Sequence, residues 1–113
     1  MELRFKLNYD IHVYWRNDAE RNEAVLLNKI LLENQVQCFA FVEKPIGPHP
    51  LPMFEAHISS ERLTEISTLL TNSRNECSIL IHEKTGDHLY DHTTGASWLG
   101  KPLDLDLDFL RNF

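Results

Sequence analysis

Long apolar runs are missing from this chain. The longest falls far short of the ~20 residues needed to cross a bilayer, so no membrane partner is expected. Cysteine is scarce. Cys38 and Cys77 stand alone in apolar surroundings without C-x-x-C spacing, which excludes a zinc knuckle and favours buried thiols. Runs of lysine or arginine are absent and the formal net charge is −6. A nucleic-acid partner is therefore not expected, although Tyr14, Phe39 and Phe41 have rings that could stack bases. There is no internal repeat and no low-complexity tract. The charged, alternating opening after Met1 is unlike a cleavable leader, so the cytoplasm is the expected compartment. What is present, in 113 residues of which 42% are hydrophobic and 25% charged, is enough for one domain (residues 1–113) around one core.

Leu3, Phe5, Leu7, Tyr9, Ile11, Val13 and Trp15 occupy successive odd positions, with Arg4, Lys6, Asn8, Asp10, His12 and Tyr14 between them. A period of two predicts a strand with one apolar face. Asn17 and Asp18 offer helix-capping oxygens, and Leu27, Ile30 and Leu31 follow at helical spacing, so a helix is expected to about Glu33. Val36 to Val42 reads as a second strand. In the segment from Lys44 to Pro52, four prolines and Gly47 exclude regular structure and stiffen the loop. A third strand is expected over Met53 to Ile58. A second helix, capped by Ser59 or Ser60, would bury Leu63, Ile66, Leu69 and Leu70 and stop between Asn72 and Asn75. A fourth strand would run from about Cys77 to His82.

The order β-α-β-β-α-β predicts an α+β, ferredoxin-like sandwich: a four-stranded antiparallel sheet, strand order 4-1-3-2, with two helices on one face. The core would span about residues 3–82, and residues 83–113 would be an appendage. Three strand spacings then separate the two cysteines by about 14 Å. A disulfide needs Cα atoms within roughly 7 Å, so none should form. In the appendage, Leu103, Leu105 and Leu107 alternate with Asp104, Asp106 and Asp108. This pattern suggests an extended arm with one oily edge, lying on the domain or on a second copy in a homodimer. The acids look like a calcium-type run, but they lack the glycine of an EF-hand loop and fit a solvated edge better.

Strand parity directs the chemistry. If the odd residues of the first strand face the helices, Asp10, His12 and Tyr14 face away. So do Glu55 and His57 of the third strand and His82 of the fourth. His49 stands on the proline loop, and His92 on the turn-rich segment after the fourth strand. Taken singly, His57 and His88 read as surface residues and His49 as loop filler. Two histidines on adjacent strands of one open face are harder to ascribe to packing. Two histidines with one carboxylate suit non-haem iron, and three histidines suit zinc or iron. Histidines also serve as acid and base near neutral pH.

The segments Tyr9-Asp10-Ile11-His12-Val13-Tyr14-Trp15, Gly47-Pro48-His49-Pro50 and Ile81-His82-Glu83-Lys84-Thr85-Gly86-Asp87 resemble the DOPA 4,5-dioxygenase family. Asp91-His92-Thr93 and Ala96-Ser97-Trp98-Leu99-Gly100 do as well, so the resemblance spans nearly the whole chain in order. Asp10 stands where many members carry the first histidine of a His-x-His-x-Tyr pattern. The resemblance implies an extradiol ring-cleaving dioxygenase that uses Fe(II), for which zinc or another divalent ion could substitute, and O₂ on a small aromatic catechol such as DOPA. It implies His12 and His82 as metal ligands, with His49 or Glu55 completing the set. His92 would be the acid/base, and Asp10 a base or the orienter of a ligand. Tyr14, Met53 and Trp98 would wall the substrate ring. The alternatives are a non-catalytic ferredoxin-like module that binds a metal or small molecule, and a zinc-dependent hydrolase.

Overall fold

The computed structural model describes residues 8–112. Leu3, Phe5 and Leu7, and with them the start of the expected first strand, lie outside the described residues. Strand β1 (Asn8–Tyr14) is followed by helix α1 (Asp18–Glu33), β2 (Gln37–Cys38), β3 (Met53–Ser59), helix α2 (Leu63–Ser73) and β4 (Ile79–Glu83). Then come a single-turn helix α3 (His88–Asp91), strand β5 (Ala96–Leu99) and a short helix α4 (Leu107–Arg111). The sheet is antiparallel, in the order β2-β3-β1-β4-β5.

The expected 4-1-3-2 order is present, extended by a fifth strand. Four strands were expected because the sequence from Glu83 onward reads as turns. The four residues of β5 are too few to show a clear period of two, yet they pair with β4 from Ile79↔Leu99 to His82↔Ala96. β4 is thereby an interior strand. It also starts at Ile79, two residues later than Cys77. Two strands still separate β2 from the start of β4, and Cys38 and Cys77 are both free thiols.

α1 begins where the capping residue dictates. The Asn17 side chain accepts the Glu20 N–H at 2.9 Å, satisfying one of the first-turn donors that a helix leaves unpaired. Ala24, Leu27 and Leu31 are buried against the sheet, joined by Ile66 and Leu70 of α2. Ile11, Val13, Phe54, Ala56, Ile58, Ile79 and Ile81 face them from the strands. α2 departs from the expected serine cap. A tight turn over Ser60–Arg62 precedes it, and Ser59 makes no side-chain capping bond.

The expected strand over residues 36–42 keeps only two regularly paired residues. Val36 and Cys38 face the core and so does Phe41, so the inward parity changes from even to odd. That change requires an irregular step, as in a bulge. Phe41 thereby stacks on Phe54 at 5.0 Å, and pairing resumes only at the Val42–Met53 bridge.

The second face of the sheet is not open, as parity alone suggested. At one end Tyr14, Met53 and Leu80 are buried beneath Leu51, Trp98, Leu103 and Leu105. The leucine–aspartate segment is thus packed on its own domain, and from Leu107 it is helical rather than extended. Asp106 caps α4 by accepting the Phe109 N–H at 3.1 Å. Among the described residues no helix is long and apolar enough to cross a membrane.

Removing the cap and hollowing the core should differ in cost. Asn17→Ala should lower unfolding free energy by about 1 kcal/mol, and Leu31→Ala by about 3 kcal/mol. Urea denaturation checks both; equal losses would contradict this division between cap and core.

Candidate metal centre and cleft

β1 assembles the site because it is flanked on both sides. Asp10 lies opposite His57 on β3 and His82 on β4, while His12 lies opposite Glu55 and Leu80. All these side chains except Leu80 are polar, and they share the face turned from the helices.

His12 and His82 come together as expected, with 3.1 Å between their Nε2 atoms. Both are nearly inaccessible, at 2% and 3% exposure. The Nδ1–H of His82 donates to the Glu83 carbonyl at 2.7 Å, so its Nε2 carries a lone pair. His12 Nδ1 is buried without a hydrogen-bond partner. Two nitrogens each ~2.1 Å from one ion sit about 3.0–3.4 Å apart. The observed separation therefore suits a shared cation or a shared proton.

The third imidazole is that of His92. One nitrogen from each of His12, His82 and His92 lies within 4.8 Å of the others. His92 Nδ1–H donates to the His88 carbonyl at 2.7 Å, which leaves its Nε2 free. Fixing one ring nitrogen on a carbonyl is how proteins aim the other at a metal. Buried Asp91 secures this segment by accepting from the Thr85 N–H at 3.0 Å and the Thr85 hydroxyl at 2.6 Å. No sequence spacing reveals this trio, because His92 reaches the sheet only through the turn of α3.

His49, expected among the ligands, is held differently. Its Nδ1 lies 2.7 Å from the Tyr14 hydroxyl, and its ring centroid is 4.2 Å from that of His12. A turn fixes it, with the His49 N–H donating to the Ile46 carbonyl and Gly47 taking φ of +56°. A side chain at Gly47 would be strained by that backbone conformation, although a Cβ would make only ordinary contact with Phe109.

Glu55 and Asp10 lie beside the trio. Glu55 Oε1 is 3.7 Å from His12 Nε2, and Asp10 Oδ2 is 3.9 Å from His82 Nε2. A cleft of about 250 Å³ opens over them between Pro48, Lys84, His88, Phe109 and Leu110. Of these wall residues the sequence had singled out none as part of a site. The cysteine-free, acid-and-imidazole donor set fits a borderline divalent ion such as iron or zinc. Tyr14, Met53 and Trp98, expected around a substrate, do not line this cleft. They belong to the apolar cluster next to it, where the Tyr14 and Trp98 rings stack at 5.8 Å.

His12, His49 and His82 are held toward the neutral form. Burial first, and the neighbouring His92 and His82 second, lower the pKa of His49 to about 4. Burial, then His49, His82 and His92, hold His12 well below its usual value, and burial also lowers His82. Burial raises the Tyr14 phenol. Neutral imidazole is the form that ligates metals.

The metal-free protein should lose stability in acid. Between about pH 6.5 and pH 4 the unfolded chain protonates His49 and the folded chain does not. Stability is therefore complete above pH 6.5 and declines as pH falls through that window, by about 3 kcal/mol from His49 alone. Urea midpoints at pH 7 and pH 4.5 test this, and a midpoint unchanged or higher at pH 4.5 would contradict it.

The sequence matches the model of the Dopa 4,5-dioxygenase family over residues 9–109. It is 29% identical over 107 residues to a DOPA 4,5-dioxygenase of Amanita muscaria, covering 88% of this chain and 47% of that protein. It is 31% identical over 115 residues to an uncharacterized 21.2 kDa protein of Botryotinia fuckeliana, covering 91% and 63%. The chain thus spans less than two thirds of the length of these curated relatives. The crystal structure of a candidate dioxygenase from Nostoc punctiforme has a TM-score of 0.89 and 32% identity, covering 95% of this chain and 93% of that one. With its two tied imidazoles and a match running from β1 into α4, this chain belongs to the Dopa 4,5-dioxygenase family.

Proposed function

We propose that the cleft is the active site of an extradiol dioxygenase that opens the ring of a catechol, with His12, His82 and His92 holding Fe(II). The observation that carries this reading is the convergence of those three imidazoles, two with Nδ1 tied to carbonyls, at the floor of the cleft. The family match and the DOPA 4,5-dioxygenase relative support the substrate class. Iron bound to this set would supply the Lewis-acid and redox chemistry that joining oxygen to an aromatic ring requires.

The protein's own groups do the rest. Phe109, Leu110 and Pro48 offer apolar walls to an aromatic ring and limit water around it. His49 is the base. In the tautomer whose Nδ1–H donates to the Tyr14 hydroxyl oxygen, Nε2 is left to take the proton of a catechol hydroxyl. Its low pKa keeps it in the accepting form at neutral pH. In this arrangement His92 is a ligand and His49 the proton acceptor, which exchanges the roles expected from the sequence. Lys84, exposed at the rim, offers a cation to a carboxylate substituent on the substrate.

Anaerobic loading with Fe(II), followed by DOPA and then oxygen, should give a yellow ring-fission product. His12→Ala should abolish both iron binding and turnover while the far-ultraviolet dichroism is unchanged. His49→Gln should retain iron and lose kcat by roughly 100-fold or more. Iron-loaded protein that leaves catechols intact would overturn the proposal, as would a zinc form that hydrolyses esters instead. Loss of iron in His49→Gln would return that residue to the ligand set. Lys84→Ala should raise KM for DOPA while leaving KM for 4-methylcatechol unchanged; equal changes would remove Lys84 from substrate binding.

A further inference from the structure

Asp10, Glu55 and His57 form a second group of metal-binding atoms beside the trio. Their donor atoms lie within 4.8 Å of one another. His57 Nε2 is 2.9 Å from Glu55 Oε2 and 3.1 Å from Asp10 Oδ1. Such separations suit ligands of a single first-row ion. They also suit an ion pair, so the distances alone decide nothing.

The hydrogen bonds separate the two carboxylates. His57 Nε2 carries at most one hydrogen, and the hydrogen-bond geometry is met toward Glu55. Asp10 Oδ1 is then left buried with no hydrogen-bond partner, on a residue only 8% exposed. A buried carboxylate oxygen without a donor is costly unless a cation meets it. Cys38 on β2 packs against the core on the other face of the sheet.

The two carboxylates are also divided in the same sense. Glu55 turns Oε2 to His57 and Oε1 to His12, at 3.7 Å. Asp10 turns Oδ1 to His57 and Oδ2 to His82, at 3.9 Å. Each carboxylate thus presents one oxygen to each cluster, the layout by which a carboxylate spans two neighbouring cations. A second cavity of about 260 Å³, lined by Asn8, Asp10, Gln37, His57 and the exposed Lys84, reaches this group from the side away from the proline loop and shares Asp10 and Lys84 with the first cleft. It gives a second ion its own approach and room for water in the remaining coordination positions.

We propose that Asp10, Glu55 and His57 bind a second divalent cation next to the His12/His82/His92 set, with both carboxylates shared between the two. Two oxygens and one imidazole favour a harder ion than three imidazoles do, and Mn(II) is the fitting probe. The second ion has its own three ligands, while the sharing of the carboxylates rests on the trio holding an ion as proposed above.

Metal-free protein equilibrated with excess Mn(II) and then freed of unbound ion should retain two equivalents, measured by atomic emission. Its electron paramagnetic resonance spectrum should carry the broadening of two interacting ions. His57→Ala and Asp10→Asn should each retain one equivalent, with the ordinary six-line signal of an isolated ion. His12→Ala should retain one as well. Circular dichroism and the urea midpoint confirm that each variant is folded. One equivalent in the native protein that survives His57→Ala and is lost in His12→Ala overturns the second site and leaves the trio standing. Two equivalents that persist in both His57→Ala and Asp10→Asn overturn it too. One equivalent lost in His57→Ala but kept in His12→Ala supports the second site and sinks the iron-centre proposal. No retained ion overturns both.

Discussion

Everything at this site depends on the register of β1 against its two neighbours. The strand pairs on one side with β3 and on the other with β4, so Asp10 has His57 and His82 as direct cross-strand partners. Cβ atoms so paired are about 5 Å apart, close enough for side chains to meet without any loop being involved. A slip of one residue would turn His12 and Asp10 into the core and bring Ile11 and Val13 to the site. The core itself forbids that slip, because Ile11 and Val13 are fully buried beneath the two helices. The packing of the apolar face thus fixes the chemistry of the polar one.

Burial then determines the state of the imidazoles. Four histidines on a solvated sheet would exchange protons freely near neutral pH. Here the proline loop, α3 and the C-terminal segment cover them, and desolvation is the leading cause of the low pKa values of His12, His49 and His82. The covering is also what the simple sandwich lacks. The same segments that close the face supply His49 and His92.

The legible part of this protein was its periodic part. Alternation along β1 placed His12 correctly, the asparagine cap fixed the start of α1, and the parity of β3 and β4 put Glu55, His57 and His82 on one face. The segments that failed are those in which local pattern and tertiary contact disagree. Residues 39–41 are β-prone, but Phe41 is drawn to Phe54 and the ladder breaks. The leucine–aspartate alternation past residue 103 imitates a strand, yet Asp106 caps a helix at Leu107. β5 is visible only as a partner of β4. Tyr14 looked like a substrate contact because its strand position is right, but Trp98 and Met53 seal its ring. The role of His92 depends on a hydrogen bond to the His88 carbonyl, and no periodicity reports such a bond.

The Asp106 N–H donates to the Pro48 carbonyl at 2.9 Å, joining segments 58 residues apart in sequence. Pro48 and His49 form one lip of the cleft, and Phe109 and Leu110 the other. Because that bond ties the lips together at their base, the mouth has a fixed gauge. The two segments that bound the cleft are therefore coupled through the backbone as well as through side chains, and one cannot shift alone without breaking that bond.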